Sequence, residues 1–207
     1  MLIPLVPEVL QEKHLSIIEA QLLLAAYAAG YFPMADSRYG EIGWYSPDPR
    51  AIIPLDAFKI SRSLQQTLKK NVFQIRLNTA FEDVIQKCSE REGTWISEEI
   101  VQSYLQLHRL GFAHSVEAWR EEKLVGGLYG FALGAAFFGE SMFSRSRDAS
   151  KVALVYLVER LLSQNFELLD TQFITPHLAR LGAIEIPREE YLARLKSSVP
   201  KQRTFVD

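Results

Sequence analysis

The sequence predicts an α+β fold, with helices packed on a largely antiparallel sheet. Three observations predict it. After residue 111 the apolar spacing changes from helical to period two, over "HSVEAW", "LVGGLYGF" and "AAFFGESMF". A long apolar helix pattern, "ASKVALVYLVERLLSQN", follows these strands and leads to one more buried strand, "ELLDTQF". The chain is long enough for one full domain and a small accessory lobe: 207 residues, 48% hydrophobic, formal net charge -2.

Taken in order, the segment up to about Pro33 is Ala/Leu-rich and reads as helix. "GWYSPDPRAIIP" (Gly43–Pro54) carries three prolines and reads as an extended connector. Ser61 caps a helix ending in Lys69 and Lys70, and "FQIRLN" alternates like a strand. "AFEDVIQKCSE" returns to helical spacing. Ser97 caps the next helix, with Glu98 and Glu99 in its first turn and Gly111 at its stop. The three alternating strands follow, joined by the charged turn "REEK" and by Gly134. Gly126 and Gly127 inside a strand predict a bulge or a close backbone approach. Asp148 caps the long helix. After the last strand, Thr175 caps a short helix with Pro176 at its first position and Gly182 at its stop.

Composition excludes several classes. Cys88 is the only cysteine, so neither an internal disulfide nor a zinc cluster is expected. The N-terminus "MLIPLVPEVLQEKH" lacks the features of a signal peptide. "LLLAAYAAGYFPMA" is broken by Gly30 and Pro33 and is too short to cross a membrane. The expectation is a cytoplasmic protein. A net charge near neutral leaves room for a local basic patch only.

Candidate chemistry lies on the strands. Glu140 follows Gly139 in a run of Phe, Met and Ala; a buried carboxylate there needs a donor or a cavity. Alternation puts it on one face with Phe138. Asp170 and Gln172 share a face at the end of a buried strand, where an acid and an amide can jointly hold an amine. "SRSRDASK" (Ser144–Lys151) opens a helix beside Arg145, Arg147 and Lys151, which suits either an anion site or an ordinary capped helix. His14, His108, His114 and His177 have no metal-ligand spacing. "GESMF" is not a nucleophile elbow, and no Walker A or G-x-G-x-x-G occurs. Trp44, Tyr45, Trp95 and Tyr104 read singly as core, or together as a stacking surface over a cavity.

Several blocks meet here: "GYFPMAD", "WYSPDPR", "GTWI", "LVGGLYG", "GESMFSR" with "RDASK", and "LDTQ" followed by "TPHLA" and "LGA". From about Gly30 to Leu192 they resemble the leucyl/phenylalanyl-tRNA–protein transferase family. That resemblance implies a GNAT-like catalytic domain over residues 57–207 behind a small N-terminal lobe and connector, residues 1–56. It implies transfer of leucine, also phenylalanine and by extension methionine, from charged tRNA to the N-terminal Lys or Arg of a protein. The product carries a degradation signal. It implies no metal and no coenzyme A or other cofactor. Carried over by motif, the catalytic set falls on Asp170, Gln172 and Glu140. Trp95 and Tyr104 fall along the acceptor path, Leu128, Met142 and Leu157 in the amino-acid pocket with Ser144 nearby, and Arg62, Lys69 and Lys70 at the tRNA. Met34 stands where many members carry tryptophan, Leu157 where an aromatic can stand, and the glycine-rich segment near the N-terminus is missing. The alternatives are a GNAT acyltransferase using acyl-CoA and a non-catalytic tRNA- or peptide-binding module. Against the first, Asp148 and Ser150 occupy the glycine positions of a pyrophosphate loop.

Overall fold

A computed structural model describes residues 17–206; the opening segment, with His14, lies outside the described residues. The Ala/Leu-rich run forms helix α1 (Ala20–Ala28), which buries Leu23 and Tyr27. Phe32 and Pro33, read from sequence as the tail of that helix, instead begin strand β1 (Phe32–Ala35), paired antiparallel with β2 (Ile42–Tyr45). The helix stops earlier because Gly30 is left-handed and Pro33 cannot donate within a helix.

The connector is extended but does more than connect. It contains β2 and also β3 (Arg50–Ile52), a fully buried strand of the main sheet. Three residues are too few to display a period, and β3 pairs only with strands more than a hundred residues away. Sequence pattern therefore could not place it in the sheet.

Helix α2 (Arg62–Lys69) is capped as expected, the Leu64 N–H donating to Ser61 Oγ at 3.2 Å. Strand β4 (Gln74–Leu77) and helix α3 (Phe81–Ser89) follow. Helix α4 (Glu98–Arg109) is capped by Ser97. Gly111, at φ +80°, then takes the left-handed turn that a side chain would resist. Strands β5 (Ala113–Arg120), β6 (Lys123–Leu133) and β7 (Ala136–Ser144) form the antiparallel run. Gly126 meets both parts of its expectation. The register slips by one residue beside it, and a Cβ there would sit 2.5 Å from the Cβ of Ala149.

Helix α5 (Ala149–Ser163) crosses over to β8 (Leu168–Gln172), which runs parallel to β7. Asp148 occupies the cap position of α5 but does not cap it. Its backbone is left-handed, and its carboxylate accepts from Lys151 Nζ at 2.7 Å instead. Helix α6 (Pro176–Arg180) is capped by Thr175, and β9 (Ile184–Ile186) and α7 (Arg188–Ser198) complete the chain. The seven-stranded mixed sheet runs β4-β5-β6-β7-β8-β3-β9. One core, around Tyr27, Tyr104, Phe131, Phe138 and Tyr191, covers one face; a second, centred on α5 with Phe137, Leu154 and Leu161, covers the other. Among the described residues no helix is long and apolar enough to cross a membrane, and no group of His, Cys, Asp and Glu could hold a metal.

Candidate active site

The site begins where two parallel strands part. Strands β7 and β8 pair from Ala136↔Leu168 to Phe138↔Asp170 and no further, although β7 runs on to Ser144. The cause is a bulge in β7. Tyr129 pairs with Ser141 and Gly130 with Gly139, which leaves Glu140 as the extra residue and bends the strand away. Into the gap opens a cavity of about 280 Å³. Leu128, Met142, Leu154, Leu157 and Leu169, all packed with the α5 core, give it a greasy side. Met34, Trp95, Tyr129 and Glu140 line it from the other face of the sheet.

The bulge also decides which way side chains point. Strict alternation would place Met142 with Phe138 and Glu140. The extra residue turns Met142 onto the α5 side and leaves Glu140 facing Tyr27. Glu140 is 9% exposed and accepts from the Tyr27 hydroxyl at 2.7 Å, and Tyr27 is in turn hydrogen-bonded to Tyr104. Burial pushes the Glu140 carboxyl up to about 8, more than the tyrosine hydrogen bonds can offset. The carboxylate in the apolar run thus has both a donor and a cavity.

Asp170 lies behind the cavity wall and not in it. It is fully buried, and four donors meet its two oxygens. Arg50 Nε donates at 2.9 Å to one and Arg50 Nη2 at 2.5 Å to the other; the Gln172 N–H adds 2.9 Å and the Tyr191 hydroxyl 2.8 Å. Arg50 is equally buried, held between the rings of Phe32 and Tyr191 at 4.6 and 4.5 Å. Gln172 adopts φ +60°, so it leaves the strand alternation and lines the cavity, whereas Asp170 faces the core. Turned so that every contact pairs donor with acceptor, its amide nitrogen donates to the carbonyls of Gly139, at 3.0 Å, and Thr171, at 3.1 Å. The side chain bridges the parting strands.

The sequence profile described as Leucyl/phenylalanyl-tRNA protein transferase matches residues 52–196, and that of the transferase N-terminal domain matches residues 17–48. The chain belongs to this family. A leucyl/phenylalanyl-tRNA–protein transferase of Herpetosiphon aurantiacus is 57% identical over 189 residues, covering 91% of this chain and 98% of its own. One of Chlorobaculum parvum is 53% identical over 195 residues, covering 92% and 100%. Membership makes the chain an aminoacyltransferase. Among solved structures, that of L-PGS from Bacillus licheniformis aligns with a TM-score of 0.41 at 16% identity, over 79% of this chain and 56% of that one, too distant to carry the fold.

Against the family expectations, the structure brings Glu140, Gln172, Trp95, Leu128, Met142 and Leu157 to one cavity. Asp170 supports that wall from behind. Tyr104 is fully buried under Glu140 and does not line the cavity. Ser144 is exposed at the end of β7, where its hydroxyl donates to the Ser146 carbonyl and accepts from the Ser150 N–H. Arg62 and Lys69 stand exposed on α2, and Lys70 is exposed at its C-terminal cap. Of the basic residues at the start of α5, Arg145 pairs with Glu90 and Lys151 with Asp148. Trp44 and Tyr45 are half-buried on β2. His108 stacks on Phe81, and His114 is buried against Asn78, its imidazole pushed down to about 4 by desolvation.

Sequence reasoning missed Arg50, Tyr191, Tyr27 and His177. Arg50 left one trace: a lone cation between the turn "SPDP" and the apolar "AII", matching an equally isolated Asp170. His177 lines the cavity, and desolvation, with Lys151 nearby, lowers its imidazole. Its signal was only its place in the block "TPHLA".

Proposed function

We propose that this chain moves a leucyl group, and also a phenylalanyl or methionyl group, from its tRNA ester to the N-terminal amine of proteins that begin with Lys or Arg. The observation that carries the reading is the apolar slot opened between β7 and β8, which ends at Glu140 and Gln172. The slot suits a branched or aromatic side chain. One methylene there is worth only ~1–3 kcal/mol, so overlapping use of leucine, phenylalanine and methionine is expected. The extended protein would carry a degradation signal in the cytoplasm, as the family resemblance implies.

The reaction is attack of an amine on an activated ester. It runs downhill to an amide, so the protein supplies orientation and proton management. A free α-amine has a pKa of about 7.7–8.0, and the fraction already neutral at physiological pH reacts. The Gln172 amide oxygen, held by its bridge to Gly139, accepts one amine N–H and points the lone pair at the carbonyl. Asp170 is a positioning residue. Its oxygens are occupied by Arg50, Tyr191 and the Gln172 N–H, so it sets the Gln172 backbone and does not take the proton. The proton passes instead through the vicinal hydroxyl of the tRNA's terminal ribose to the departing oxygen.

We also read the catalytic domain as GNAT-like, supported by the antiparallel run, the crossover helix α5 and the splayed parallel pair. Two units, residues 1–56 and 57–207, remain part of the proposal, with β3 lent by the first to the sheet of the second. Carboxylates already engage Arg145 and Lys151, which argues against an acyl-CoA pyrophosphate there. The test supplies Leu-tRNA and a peptide beginning with Arg and looks by mass for the peptide extended by leucine. A peptide beginning with Ala is the control, and acetyl-CoA replaces Leu-tRNA in a second arm. No extended peptide from Leu-tRNA refutes the assignment.

A further inference from the structure

Among the described residues, four buried side-chain polar atoms lack a hydrogen-bond partner: Gln106 Oε1 and the hydroxyls of Tyr129, Ser141 and Thr171. All three hydroxyls belong to residues lining the cavity. An unpaired buried hydroxyl costs free energy, so a cluster of them at one cavity marks where a ligand completes the bonding. Tyr129 and Ser141 are directly opposed across β6 and β7, at the bulge that contains Glu140. Tyr129 is fully buried and close enough for the Glu140 charge to act on its hydroxyl. The Ser141 hydroxyl stands beside the Cys88 sulfur, toward which its O–H can point while the oxygen lone pairs stay open.

We propose that Tyr129 and Ser141, together with Glu140, hold the free α-amino group of the esterified amino acid, so that the site accepts unblocked aminoacyl-tRNA and discriminates against N-acylated aminoacyl-tRNA. The inference rests on the transferase reading and deepens its donor side. The Cα of the bound residue carries a side chain, an ester carbonyl and an amine. The greasy wall takes the side chain, and the carbonyl must stay open toward Gln172 and the incoming nucleophile. The amine remains, and it needs acceptors. Two hydroxyl oxygens with open lone pairs and one carboxyl are what this polar end offers.

The donor amine makes no bond during transfer. The acceptor nitrogen bonds to the carbonyl carbon, the bond from that carbon to the ribose oxygen breaks, and the oxygen leaves with the proton that the acceptor nitrogen sheds. Acetylating the donor amine leaves that balance intact, so any loss it causes is a loss of recognition.

The experiment measures kcat/KM for transfer from Leu-tRNA and from N-acetyl-Leu-tRNA to an Arg-peptide, for wild type, Tyr129→Phe and Ser141→Ala, with melting curves for each. Wild type should prefer the unblocked donor by tenfold or more. Each variant should lose about tenfold on Leu-tRNA and almost nothing on N-acetyl-Leu-tRNA, so that the preference shrinks. Tyr129→Phe should melt no lower than wild type, because the hydroxyl it removes has no partner. A wild type that uses both donors equally, or variants that keep the full preference, overturns the inference and leaves the transferase standing. A wild type that fails on Leu-tRNA while folded overturns both.

Discussion

Replacing Asp170 by Asn separates its two possible roles. Asn keeps the shape but removes the charge and puts an N–H₂ where an oxygen now receives two donors. Arg50 would then be a buried cation with no counter-charge, since both it and Asp170 are 0% exposed and its remaining partners are Tyr191 and the Gly30 carbonyl. Breaking a buried ion pair from one side costs about 3–5 kcal/mol. In a chain of this size that corresponds to a fall in Tm of roughly 6–20 °C. The assay is thermal and urea unfolding of Asp170→Asn, Arg50→Met and the double variant Arg50→Met/Asp170→Leu. Each single change should be strongly destabilising. The double change should recover most of the loss, because exchanging both charges for apolar side chains removes the desolvation cost along with the attraction. Transfer should stay low even in the stable double variant, since the Gln172 N–H loses its acceptor. An Asp170→Asn protein as stable as wild type, with transfer abolished and Leu-tRNA binding intact, would refute the reasoning and return Asp170 to the reacting amine.

Glu140 is protonated in the folded chain up to a pKa of about 8, but in the unfolded chain only up to about 4.5, so its contribution to stability is lost as pH rises through that window. Glu140→Gln should therefore gain on wild type between pH 5 and 9 in urea midpoints; a constant difference between the two would contradict the burial argument. Gly130→Ala places a Cβ 2.2 Å from the Phe138 carbonyl oxygen beside the bulge, and should cost about 1–3 kcal/mol or more in the same assay. Leu157→Ala empties part of the greasy wall; it should cost about 2–5 kcal/mol and raise the use of Phe-tRNA over Leu-tRNA in a competition assay. Reversing the charges of Lys69 and Lys70 should weaken Leu-tRNA binding and flatten its dependence on log salt by about 0.7–0.9 for each phosphate that is no longer neutralised; an unchanged slope removes α2 from the RNA interface.

Most of what was legible is local. The Ser61, Ser97 and Thr175 caps and the Gly111 and Gly182 stops need only neighbours within a few residues, and each stands where its motif falls. Even there Asp148 shows the limit. It has the right residue type and position, yet a lysine three residues on takes its carboxylate. Glu140 was visible as an acid in an apolar run, although the direction of Met142 beyond it was not, because one extra residue reverses every later side chain in the strand.

By itself, then, the sequence determined the α+β class, the main strands of the C-terminal half and the family, since periodicity, capping and long motif blocks are written along the chain. Only the tertiary structure decided that Arg50 neutralises Asp170 across 120 residues, that β3 belongs to the main sheet, and that β7 and β8 part to form the slot. Those features arise from burial and from strand pairing between distant segments, and neither leaves a period or a spacing for a one-dimensional reading to find.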